Sequence, residues 1–200
     1  MITFEKSNEK KLPYDKKQYL SFLDDEEISD SGWYGFSLQV KNLENCRFEK
    51  ELKEDEFNQT IDLLESAFKI IIATYDNGSF WTINHEYKDF DWFKNNDGNL
   101  TSLRTVFKQQ NIPNSFKGSL ICSKDDLFAY SRELISYPFI LSYRNLDISH
   151  NALPLIIKIT NHLSISVISS NTTLLNDFLK NNSVSNMNTV KYRGSEGVLF

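Results

Sequence analysis

Apolar residues recur along this chain with two different periods, and the changes of period mark out its elements. From 33 to 40 the period is two, with Phe36, Leu38 and Val40 on one side, as a half-buried strand requires. After the polar turn 42–45, Cys46, Phe48 and Leu52 continue the alternation and predict a first hairpin. The period lengthens over 54–68, where Phe57, Ile61, Leu64 and Phe68 follow at spacings of four, three and four. That spacing predicts an amphipathic helix, with Glu54, Asp55 and Glu56 in the first turn, where the helix dipole favours anions. The β-branched, apolar stretch 70–75, the turn Asp76-Asn77-Gly78-Ser79 and the alternation over 80–87 predict a second hairpin, because Asn-Gly tolerates positive φ.

The second half repeats this vocabulary. Leu103, Val106 and Phe107 predict a helix over 101–110 closed by Pro113, and 118–122 reads as a short strand. Ser123 caps a helix from Lys124 to the residues before Pro138, with Asp125 and Asp126 in its first turn and Leu127, Tyr130 and Leu134 as its buried stripe. Strands are expected at 139–144, 155–160 and 163–168, the last with Ser164 and Ser166 on an exposed face. Asn171 or Thr172 caps a final helix carrying Leu174, Leu175, Phe178 and Leu179, and 190–192 reads as an edge strand. Strand pairs separated by helices give an α+β class: a largely antiparallel or mixed sheet built from hairpins, with about four to five helices packed against it.

Composition narrows the picture. With 200 residues, 40% hydrophobic, and 15 Phe, 9 Tyr and 3 Trp, the chain can bury a core without staples. One domain over 1–200 is expected, with two similar, intimately packed halves at about 1–112 and 113–200 as the alternative. Cys46 and Cys122 are the only cysteines and suit a reducing compartment. Residues 1–12 lack the apolar segment of a signal peptide and no apolar run approaches the length of a membrane span, so a cytoplasmic protein with no membrane partner is expected.

Charge is divided unevenly. Residues 1–100 hold 21 acids and 12 bases, a net of −9, while residues 101–200 carry +4, together the −5 of the whole chain. An acidic front half favours a basic partner and disfavours nucleic acid. Arg104, Lys108, Lys117 and Lys124 are scattered, whereas a surface that tracks a phosphate backbone needs clustered cations.

Candidate chemistry is sparse. Glycine-rich phosphate cradles are absent, and His85-Glu86 and His162 lack the companions that a metal ligand set requires, so neither metal nor cofactor is expected. Asp147, Ser149 and His150 sit within four residues between two predicted strands, where a loop could gather an acid, a hydroxyl and a base. They are the catalytic candidates if the protein is an enzyme, although a triad is defined by geometry and not by local spacing. Two acidic patches suit a protein partner. One is Asp24, Asp25, Glu26, Glu27 and Asp30, which follows an expected helical segment at 14–23; the other is the run 87–93, where Tyr87 and Trp92 alternate with Asp89 and Asp91. The leading expectation is a small acidic protein-binding module, most concretely an immunity protein or antitoxin that inhibits a basic, nuclease-like toxin by direct binding. The alternatives are a hydrolase-like enzyme built around 147–150, and a subunit or scaffold with weak self-association through exposed strand edges.

Overall fold

A computed structural model of the chain describes residues 1–5, 12–15, 17–19, 32–41, 53–85, 92–93, 100–139, 145–182, 184 and 186–191, with the backbone alone at Asn84 and His85. Among the described residues eight strands, β1 (Thr3–Glu5), β2 (Tyr34–Val40), β3 (Trp81–His85), β4 (Ser119–Cys122), β5 (Leu146–His150), β6 (Leu155–Thr160), β7 (Ser164–Ser169) and β8 (Met187–Lys191), form one sheet. Its order is β1-β4-β3-β5-β6-β7-β2-β8, and every neighbouring pair is antiparallel. The helices are α1 (Glu54–Tyr75), α2 (Thr101–Gln109), α3 (Lys124–Ala129), α4 (Ser131–Tyr137) and α5 (Thr172–Asn181). Residues 17–19 are also helical. This is the α+β class that the alternating periods imply.

One face of the sheet carries the main core. Phe36, Leu38, Trp81, Ile83, Leu120, Leu146, Ile148, Ile157, Ile165 and Val167 point to it and meet Ile61, Leu64, Phe68, Ile71 and Ile72 of α1. Phe178 of α5 stacks between Phe36 and Tyr75, at centroid distances of 5.5 and 6.0 Å. Phe107 of α2 gathers Phe4 at 4.7 Å and Phe93 at 4.8 Å edge-on, a favoured arrangement for aromatic quadrupoles.

Several elements depart from expectation. The second hairpin does not form, because residues 70–75 are the last turns of α1. Thr60, Ile61, Leu64, Ala67, Phe68, Ile71, Ile72 and Tyr75 are buried along one helical stripe. The packing of that stripe outweighs the few tenths of a kcal/mol that β-branched residues lose in a helix. The Asn-Gly turn survives, but it ends a helix and leads into β3. Asp76 Oδ1 accepts the Gly78 N–H and Asn77 Oδ1 accepts that of Ser79, while Gly78 takes φ of 81°. β2 forms as expected, yet both of its edges are taken, by β7 and β8. Residues 46–52, the expected partner of β2, lie outside the described residues, as do 140–144 of the strand expected at 139–144. The helix expected from Lys124 onward breaks at Tyr130, which has ψ of 12°, into α3 and α4. Ser123 caps α3 as expected, exchanging hydrogen bonds with Asp126.

The second face of the sheet is not open to solvent at its centre. Trp33, Tyr19 and Tyr14 pack over Ile156 and Ile168. Ser164 and Ser166, expected on an exposed face, are buried.

Candidate functional site

Residues 146–150, expected as a loop, are a strand near the centre of the sheet, paired with β3 on one side and β6 on the other. Strand alternation then decides the fate of the candidate triad. Leu146, Ile148 and His150 share the core face, so Asp147 and Ser149 lie on the opposite one. The His150 ring therefore cannot serve as base to Ser149. The three residues are buried and close in sequence but do not converge.

His150 is instead occupied structurally. Its Nδ1 accepts the backbone N–H groups of Ala152 and Leu153, each at 3.0 Å, which fixes the turn between β5 and β6. Its ring stands edge-on to Trp81 at 4.6 Å. Burial pushes its pKa below the ordinary 6.5, against the opposing pull of the Tyr75 carbonyl and the Asp76 carboxylate. Asp76 is itself held below the usual carboxylate range by the Lys124 ammonium, 2.6 Å away, and by the Gly78 N–H.

On the other face the sheet brings together residues that are distant in sequence. The register aligns Asp147 of β5, Lys158 of β6, Ser166 of β7 and Ser37 of β2 in a row across four strands. Lys158 Nζ lies 4.0 Å from Asp147 Oδ1, with both side chains nearly removed from solvent. Ser37 and Ser166 join hydroxyls at 2.8 Å. Two tyrosines close the row from above: Tyr19 OH donates to Asp147 Oδ2 at 3.1 Å, and the Tyr14 hydroxyl meets Ser149 Oγ at 2.6 Å. Trp33 seals these contacts, with its ring 5.2 Å from Tyr14 and 5.5 Å from Tyr19. Desolvation, reinforced by the charge of Asp147 and opposed by the hydrogen bond with Ser149, raises the Tyr14 pKa and keeps its phenol neutral.

Sequence reasoning missed Tyr14, Tyr19, Trp33, Lys158, Ser37 and Ser166 as members of one cluster. The available signal was Lys158, a lone charge inside the apolar run Leu155–Thr160. A charge there needs an internal partner.

Of the residues expected at a partner surface, Asp24, Asp25, Glu26, Glu27, Asp30, Tyr87, Asp89 and Asp91 lie outside the described residues. Trp92 is described and is internal. It is fully buried, its indole N–H donates to the Gly118 carbonyl at 2.9 Å, and its own carbonyl accepts Tyr137 OH at 3.0 Å. A tryptophan expected to anchor a partner thus anchors this chain's own core. The acids described on the surface include Glu54, Asp55 and Glu56, all exposed in the first turn of α1. His162 sits at the exposed tip of the β6–β7 hairpin, and His85 is the last residue of β3.

Among the described residues no group of three His, Cys, Asp or Glu side chains is placed to hold a metal ion, and no helix is long and apolar enough to cross a membrane. Comparison of the chain with known protein families, with curated proteins and with solved structures returns no match.

Proposed function

We propose that this protein is an acidic binding module for a basic protein, in its most concrete form an immunity protein or antitoxin that covers the cationic surface of a nuclease-like toxin. The observation that carries this reading is how the polar groups are used. Asp147, Ser149 and His150, the residues best suited to chemistry, are buried and engaged with Tyr19, Tyr14 and the 152–153 backbone, whereas Glu54, Asp55 and Glu56 stand exposed on a front half of net charge −9. An acidic surface of this kind gains association rate and selectivity from a cationic partner.

The test is capture of partners by the full-length tagged chain from its native host, followed by association kinetics at low and high salt. A basic partner is expected. Replacing Asp24, Asp25, Glu26 and Glu27 by their amides, or Glu54, Asp55 and Glu56 by theirs, should slow association at low salt and lose that effect at high salt. Trp92→Ala should act differently, lowering the stability of the chain itself by about 3–5 kcal/mol. Capture of acidic partners only, or an affinity that ignores both sets of substitutions, would refute the reading.

A further inference from the structure

We propose that two copies of this chain pair edge to edge through β8, antiparallel about a two-fold axis at Thr189, continuing one sheet into the next. The proposal concerns a different surface from the acidic one above and stands independently of it. Among the described residues β8 ends the sheet, with β2 on one side only. The hydrogen bond from Lys41 N–H to the Asn186 carbonyl sets the parity of the β2–β8 ladder. In an antiparallel pair the bonded positions alternate, so Asn188 and Val190 turn their backbone groups toward Gln39 and Ser37, and Thr189, opposite Leu38, turns its N–H and C=O outward.

Among the described residues this edge is blunted only at its end, by one lysine. The strand Met-Asn-Thr-Val-Lys holds no proline, and its single charge, Lys191, stands at its last position, on the face of Phe36; Thr189 is exposed and Val190 is an exposed apolar residue at 44%. The other edge, β1, spans three residues and ends in Glu5. The chain beside it is tied down, with the Ile2 carbonyl accepting Gln110 Nε2 at 2.9 Å and the Met1 ammonium held by Asp126.

The sequence of β8 also selects the occupant. With Thr189 opposite its own copy, Val190 faces Asn188 and Lys191 faces Met187, so the one charged residue never opposes itself. A parallel pairing would set the two Lys191 side chains at the same level. The central pair would be a hydrogen-bonded one, with two backbone bonds and a Thr–Thr contact, a combination that stabilises antiparallel sheets. A five-residue edge buries far less than the roughly 1,600 Å² of a stable interface, so the dimer is weak and concentration-dependent.

Sedimentation equilibrium of the full chain from about 10 μM to about 1 mM, a range that brackets weak association, should show monomer passing to dimer. Thr189→Pro removes only an outward N–H and should abolish the dimer while leaving the unfolding transition in place. A second measurement holds even if that variant misfolds. On a Cys46→Ser background, which leaves Cys122 buried, Thr189→Cys should form a disulfide-linked dimer with oxidised glutathione accepting the two electrons and two protons. Facing residues of such a pair lie about 5.5 Å apart between Cα atoms, within disulfide reach. Asn188→Cys should not cross-link, since its copy lies diagonally across at about 7–8 Å. A chain that stays monomeric throughout, or Asn188→Cys cross-linking as readily as Thr189→Cys, would overturn the proposal.

Discussion

His150 remains neutral because protonating its imidazole at Nδ1 would cost both hydrogen bonds that hold the 151–154 turn. The free energy of that turn is therefore linked to pH. An unfolded chain takes up the proton near 6.5, while the buried ring in the folded chain resists it to lower pH. Between those two values the unfolded state binds more protons, so stability falls as pH falls. The contribution of His150 is complete above about pH 6.5 and is lost as pH drops through the depressed folded value. Carboxylates held low, such as Asp76 and Asp126, act in a separate and more acid window, below their ordinary 3.8. Denaturant midpoints measured between pH 7.5 and 5 should decline for the natural chain. His150→Asn, which can accept a turn N–H but carries no titrating proton, should be less stable at pH 7.5 and nearly flat over the same range. An equal decline in both proteins would locate the titrating group elsewhere.

At the scale of elements, α1 shows which local signals can be trusted. Its start was legible: three acids in the first turn and a four-three-four apolar spacing led to a helix at residue 54, where it is found. Its end was not, because Ile70, Ile71 and Ile72 have the composition of a strand, and an Asn-Gly turn can follow either element. The deciding information was the continuation of the 61, 64, 68 spacing to 71, 72 and 75, together with a glycine in positive φ just past the last helical turn. A paired substitution tests the assignment, since in a strand positions 71 and 73 would share a face. In the helix Ile71 is fully buried and Ala73 is exposed. Ile71→Ala should cost about 2–5 kcal/mol and Ala73→Ser about 0.5 kcal/mol or less, measured by urea unfolding. The strand β5 was illegible for a different reason. Ser149 and Asp147 find hydrogen-bond partners there in Tyr14 and Tyr19, more than 120 residues earlier. No local window contains that fact.

For the whole molecule, the sheet order carries the consequence. Strands of the first hundred residues do not form a lobe of their own: β2 lies between β7 and β8, and β3 lies between β4 and β5. Cutting the chain near residue 112 would leave β2 and β3 without either neighbour and would strip α1 of Ile157, Ile165 and Val167, which belong to the same core. Stability is then a property of the intact sheet, and unfolding should be a single event. The tryptophans make this testable, because Trp33, Trp81 and Trp92 all belong to the first half and all are buried, whereas far-UV circular dichroism reads strands and helices of both halves. The two signals should trace one coincident urea transition. Fragments 1–112 and 113–200, produced separately, should each lack a cooperative transition. Two separated transitions in the full chain, with tryptophan fluorescence following only one, would mean that the halves fold as independent lobes despite the shared sheet.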